Sequence, residues 1–457
     1  MLGEGSAVKI IDRARIRELM DRELQSYVRT RPRSRELFER ARKSLLAGVP
    51  MHWMVRWAGP YPIFVKEARG AYIQDVDGNR YLDLCLGDTG SMFGHSPESV
   101  ARAASEQLSR GITMMLPTED SIWVAEELAR RFGLPYWQIA MTATDANRFS
   151  IRLAREVTKR PRILVVNGCY HGTVDETLID LVDGKVLPRA GNMGPPVDPQ
   201  VTTKAVEFND LAAMERALAA RDVACVLMEP AMTNRGIILP DPGYHEALRE
   251  MTRKYGTLLI IDETHTICAG VGGYTGEYGL NPDILTIGKP LASGVPVAAY
   301  GISQELSDRV MEKILSDGTD ENGLGGTLSG NALAVSAMRA TLENVITREA
   351  FARMIPLAER FERGVAETIR EAGVPWHVTR LGVRIEYHFL PRPPRNGAEA
   401  NAAKDAELER LLHLMALNRG ILMTPFHNMA LISPYTTEED VDAHTRVFSE
   451  CVHELVK

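Results

Sequence analysis

"TLLIIDETHTICAGVGGYTGEYGLNPDILTIGKP", residues 257–290, holds two short apolar runs, each ending in a residue that such runs seldom carry. Residues 258–261 lead into Asp262, and residues 284–287 lead through Gly288 into Lys289. Apolar runs of this length, separated by helical stretches, predict strands of a mainly parallel α/β sheet buried on both faces. In such sheets functional side chains gather at the carboxyl ends of the strands. A carboxylate there needs a cation or hydrogen-bond donors. An amine there is a candidate nucleophile toward an aldehyde.

The same pattern recurs outward from this stretch. "QIAMT" (138–142), "RILVVNG" (162–168) and "ACVLMEP" (224–230) read as further strands, with helices over 147–158 and 243–255 between them. Before them, residues 11–47 predict two helices broken at "RTRPRS", the first placed to pack on another subunit. "YPIFVKEARGAYIQDVDGNRYLDLCLG" then predicts an antiparallel meander turning at Asp77-Gly78. The expected organisation is an N-terminal part over 1–96, a large domain over 97–332 and a C-terminal part over 333–457. The segment 391–407 reads as a loop.

The chain has 457 residues, 45% hydrophobic and 25% charged, with a net charge of -7, which suits a soluble globular protein and gives no footing for nucleic acid or an anionic membrane as partner. Five widely spaced cysteines without a C-x-x-C pair read as buried thiols. The N-terminal stretch turns charged before an apolar core of signal-peptide length, which predicts a cytoplasmic protein.

The strand ends form a set. Ala143-Thr144-Asp145-Ala146 opens a helix with small and hydroxyl-bearing residues, as either a plain N-cap or a cradle of backbone N–H groups for phosphate. Tyr170 and His171 follow the second strand, where an aromatic ring either packs or stacks on a flat ligand. Glu229 and Asn234 follow the third. A metal held by Asp262, Glu263 and His265 is the weaker reading, because alternation along a strand turns Glu263 away from Asp262 and Thr264. A phosphate cradle, a stacking ring, a buried aspartate and a lysine able to form a Schiff base together describe a pyridoxal phosphate site.

With these motifs in order, the sequence resembles the class III aminotransferases of fold type I, in the branch of glutamate-1-semialdehyde aminomutase and the amine and β-amino acid transaminases. "GAYIQDVDGNRYLDL" with "GHSP", "TATDANRFSIRLAR", "YHG", "EPAMTNRG", "DETHT", "GKP" and "GGTLSGNAL" carry the resemblance from about Gly48 to Asp442. It implies a seven-stranded, mainly parallel sheet in the large domain and a smaller α+β domain built from both terminal segments. It makes Lys289 the Schiff-base lysine and proton shuttle, and Asp262 the partner of the pyridinium nitrogen. Tyr170, beside His171, and Thr264 would cover the two ring faces, and Asn234 would lie near the phenolic oxygen. Ala143 and Thr144 would bind phosphate, and Thr327 would reach the cofactor of a neighbouring subunit in a homodimer.

Several departures bear on the substrate. "SDGTDENGLGG" lacks the tyrosine that the aminomutase carries there, "GDTGSMFGHSP" lacks its tryptophan, and no Arg or Lys lies between Gly420 and Thr445. Trp53, Arg56, Trp57 and His427 are the substrate candidates. The expectation is a transaminase that moves an amino group from an aromatic or bulky apolar amine, or a β-amino acid, to a keto acid such as pyruvate in two half-reactions. A racemase or epimerase and a glutamate-1-semialdehyde-type aminomutase are the alternatives on the same scaffold. A nicotinamide-dependent dehydrogenase is disfavoured, since "GVGGYTG" has Thr275 where the third glycine of its fingerprint belongs.

Overall fold

The strand Leu258–Asp262 is the central strand of a seven-stranded sheet and has every residue buried. The structure is a computed structural model that describes residues 11–194, 198–317 and 323–457, without side chains for 313–317. Across the sheet the order is Tyr136–Ala140, Ala298–Ile302, Ile284–Ile287, Leu258–Asp262, Val223–Met228, Arg162–Val166, Thr203–Val206. Ala298–Ile302 is antiparallel to both its neighbours, and the other strands run one way. Val223–Met228 is buried at all positions, as expected of a strand covered on both faces.

Two strands, Thr203–Val206 and Ala298–Ile302, had no individual sequence prediction. The first is short and carries Lys204, and the second is rich in small residues, so neither shows the apolar run that marks the others. "QIAMT" starts and ends two residues earlier than read, at Tyr136–Ala140, which leaves Met141 and Thr142 as the turn into the helix Ala143–Thr158.

The chain divides into two compact units. One comprises Glu98–Glu349 with Pro394–Ala402, and the other comprises the residues up to Pro97 with Ala350–Pro393 and Ala403–Lys457. The division thus falls beyond residue 332, where the sequence reading put it. The helix Ala332–Asn344 packs on Glu98–Leu108 and Glu119–Phe132, which keeps it with the sheet. The segment 391–407, read as a loop, contains the helix Gly397–Ala402 and the start of the helix Ala406–Asn418; Gly397 lies against the backbone of Asn167 and Gly168, where a Cβ would come within 2.2 Å of the Asn167 carbonyl oxygen.

In the second unit the meander forms as read, from Val65–Arg69, Tyr72–Asp75 and Arg80–Asp83, and Ile421–Leu422 joins it in parallel. A second sheet pairs His377–Leu381, Arg384–His388 and Met429–Leu431. The first helix, Arg13–Thr30, packs on Ala406–Asn418 of the same unit and buries Ile16, Leu19 and Tyr27, so that face is covered by its own chain. The Tyr27 hydroxyl donates to the Tyr61 carbonyl at 2.5 Å, which gives the buried phenol the partner it needs.

The fully buried Ile260 sits between two parallel neighbours and cannot be shortened without leaving a void. Ile260→Ala is expected to lower unfolding free energy by about 2–5 kcal/mol and Ile260→Val by about 0.5–1.5 kcal/mol, read from urea denaturation.

Candidate active site

Asp262 ends its strand inside the protein, only 4% exposed, and is surrounded by donors. Oδ2 accepts from Asn147 Nδ2 at 2.9 Å and faces His171 Nδ1 at 2.9 Å, while Oδ1 accepts from the Thr264 amide at 3.0 Å. Burial alone would push the carboxyl up, but the hydrogen bond and charge of His171, with the Thr264 and Asn147 donors, hold it down at about 2. The same contact raises His171, against the opposing effect of its own burial. The pair is therefore ionised near neutral pH, and the Asp262 carboxylate, with two of these contacts on Oδ2 and one on Oδ1, keeps room on Oδ1 for a further donor.

Asn147 belongs to the Asp262 network and was missed by the sequence reading. Its amide nitrogen reaches both Asp262 and the His171 carbonyl (3.1 Å), and its oxygen accepts from Thr286 Oγ1 at 2.7 Å. It lies one turn into the helix Ala143–Thr158 on the buried face, and Thr286 is the hydroxyl inside the apolar run 284–287. A polar residue on an otherwise buried helix face opposite a polar residue within a buried strand is the signal that could have found the pair.

The helix Ala143–Thr158 is capped by Thr142, whose hydroxyl accepts from the Asp145 amide at 3.2 Å. The amides of Ala143 and Thr144 have no partner among the described residues and stand at the positive end of the helix, as an anion cradle requires. Thr144 Oγ1 accepts from the Thr173 amide at 3.1 Å and so fastens the helix start to the loop bearing Tyr170 and His171. Two glycines make the close approaches possible. A Cβ on Gly172, where φ is +81°, would lie 2.1 Å from Thr144 Oγ1, and one on Gly288 would lie 3.0 Å from the Ala143 Cβ.

Lys289 follows Gly288 with φ +49°, in the left-handed region that residues other than glycine seldom adopt. Such a conformation is costly and tends to occur where function requires it. The lysine Nζ is 2.9 Å from His265 Nε2. Glu263 points away from Asp262, as read, into a buried loop: it accepts from Thr266 Oγ1 and from the amides of Tyr274 and Thr275. "GVGGYTG" is thus the binding turn for the Glu263 carboxylate, and Gly273, with φ +61°, permits the contact because a Cβ there would sit 2.5 Å from Glu263 Oε2. Burial raises the Glu263 carboxyl, partly offset by these donors. Glu229 is also buried and raised, and it accepts from Thr233 through both its amide and its hydroxyl. Asn234 gives its amide nitrogen to the Gly168 carbonyl at 2.9 Å.

Of the other predicted residues, Tyr170 is half-buried at its strand end, Thr264 is buried, and Thr327 is exposed in the turn before Ala332–Asn344. Trp53, Arg56, Trp57 and His427 lie in the second unit. There the Trp53 ring meets Phe426 edge-on at 6.1 Å, and Phe426 lies 5.4 Å from His427, whose Nδ1 faces Glu386 Oε1 at 3.2 Å. Arg56 is exposed. Trp57 packs against the cluster of Tyr27, Ala58 and Tyr61. Among the described residues no group of three His, Cys, Asp or Glu side chains could hold a metal ion, and no helix is long and apolar enough to cross a membrane. All five cysteines are buried thiols outside any disulfide.

The class III aminotransferase family matches residues 53–452, and the chain belongs to this family. Over 414 residues it is 34% identical to a glutamate-1-semialdehyde 2,1-aminomutase of Cenarchaeum symbiosum, a span of 89% of this chain and 96% of that one. A solved glutamate-1-semialdehyde-aminomutase of Pseudomonas aeruginosa is 49% identical, with 97% of this chain and 99% of that chain covered and a TM-score of 0.96; a variant of that protein was solved with PMP. An omega-transaminase of Sphaerobacter thermophilus is 30% identical, with 92% and 97% covered and a TM-score of 0.83. The protein is thus a pyridoxal phosphate-dependent enzyme of fold type I. Its own side chains fit that cofactor: an ionised buried aspartate with an open acceptor position, an uncommitted helix start beside a glycine, and a lysine at the neighbouring strand end.

Asp262→Asn is expected to weaken cofactor binding about 10- to 100-fold, the usual loss for a charge-assisted hydrogen bond of about 1.5–3 kcal/mol. A spectroscopic titration of cofactor-free protein with pyridoxal phosphate measures it, and unchanged affinity would remove Asp262 from the cofactor site.

Proposed function

We propose that this enzyme relocates an amino group within one small molecule, in the manner that the name glutamate-1-semialdehyde 2,1-aminomutase describes, rather than between an apolar amine and a keto acid. The observation that carries this reading is the near end-to-end identity to the Pseudomonas aeruginosa aminomutase, which exceeds that to the omega-transaminase. Pyridoxal phosphate, when bound, draws electrons away from the carbon that carries the amino group. Asp262, kept ionised by His171, Asn147 and the Thr264 amide, holds a proton on the ring nitrogen and so preserves that electron demand. Ala143 and Thr144 bind the phosphate through the helix start, while Tyr170 and Thr264 confine the ring. Lys289 takes a proton from the carbon that loses the amino group and returns one to the carbon that gains it. In a homodimer Thr327 of one subunit would reach the other's phosphate, a role that its exposed position in the turn supports.

One observation favours the intermolecular reading: the aromatic cluster of Trp53 and Phe426, with no Arg or Lys between Gly420 and Thr445, suits an apolar amine. The two readings separate in one assay. Glutamate-1-semialdehyde supplied alone should be converted to its isomer with the nitrogen retained, as followed by ¹⁵N label. No conversion, together with alanine formed from pyruvate and an aromatic amine, would establish the transaminase. Exchange of a substrate proton for deuterium with the nitrogen left in place would instead indicate a racemase. Lys289→Ala should lose covalent attachment of the cofactor and at least about 10²-fold in turnover, the lower end for loss of a positioned acid–base group; wild-type turnover would overturn the assignment of Lys289.

A further inference from the structure

We propose that His265 is a positioning residue for Lys289, with Nε2 accepting a hydrogen bond from Nζ and so directing the amine's lone pair. The inference depends on Lys289 acting as the amine of the site and not on which substrate is used. Two observations carry it. His265 Nε2 and Lys289 Nζ are 2.9 Å apart although they stand on loops after different strands. The loop that carries His265 is also held rigidly, because Glu263 takes donors from Thr266, Tyr274 and Thr275, and the Cys268 amide returns to the His265 carbonyl at 3.3 Å.

Asp262 and His265 are three residues apart on this one turn, so the group that anchors the cofactor ring and the group that steadies the lysine share a frame. Lysine has four rotatable carbon–carbon bonds, and an amine that carries protons between two substrate carbons needs a restricted direction. An imidazole acceptor at hydrogen-bond distance supplies it. The half-buried His265 and Lys289 sit among buried neighbours, since Thr264, Thr266 and Pro290 are all buried, so the contact is little exposed to competition from water.

The test compares His265→Met, which fills the space without accepting a strong hydrogen bond, with His265→Gln, whose amide oxygen can accept from Nζ. In the holoenzyme His265→Met should lower kcat about tenfold or more with KM changed less than twofold and should shift the absorption band of the lysine-linked cofactor, while His265→Gln should restore both at least in part. In cofactor-free enzyme at one fixed pH, the rate at which acetic anhydride labels Lys289, read by mass spectrometry, should change at least threefold in His265→Met and return toward wild type in His265→Gln. Wild-type kcat and labelling rate in His265→Met would overturn the proposal. If His265→Met does not fold, His265→Gln is compared with His265→Asn instead: Gln near wild type and Asn, with its shorter reach, impaired in kcat and labelling supports the proposal, and equal behaviour of the two overturns it.

Discussion

An anion sits at the end of a fully buried strand, and the protein's active side is organised around keeping it charged. Moving a carboxylate out of water is unfavourable by several kcal/mol unless donors replace the lost hydration. Asp262 receives them from three different places: Asn147 on a helix, His171 on the loop after another strand, and the backbone of its own turn at Thr264. Each donor ties a separate element to the same point. The helix Ala143–Thr158, the loop that carries Tyr170 and the turn that leads to His265 are therefore held in register by one carboxylate.

The sheet supplies the spacing. Asp262 pairs in register with Thr286, three residues before Lys289, so parallel pairing of the two strands brings the aspartate and the lysine to neighbouring strand ends. Thr286 also donates to Asn147, which couples the lysine's strand to the Asp262 network through a single amide. Glycines then allow the loops to approach as closely as this chemistry requires, Gly172 over Thr144, Gly288 beside Ala143 and Gly273 against Glu263. Each is a position where an added methyl would meet a neighbouring atom at 3.0 Å or less, so the compactness of the site depends on the missing side chains as much as on those present.

Second-unit residues show how chemistry and packing compete for the same side chains. Trp57, a substrate candidate by its sequence position, packs against the cluster of Tyr27, Ala58 and Tyr61, where part of its apolar surface leaves water. Trp53 is the one that meets Phe426, next to His427. A sequence of alternating tryptophan, arginine and methionine does not reveal which of its aromatic rings will be used for the core.

The sequence by itself determined the strands 258–262 and 284–287, the polar residues at their ends and, through the order of its motifs, the cofactor and the family. Long apolar runs have to be buried, and a carboxylate or an amine directly after one is visible without coordinates. Tertiary structure alone decided what surrounds those groups. Asn147, Thr286 and His265 carry ordinary polar side chains whose importance lies in what they face, and they face partners far away in the chain. The strands Thr203–Val206 and Ala298–Ile302 likewise exist because neighbours complete their hydrogen bonds, a property that no local run of residues contains.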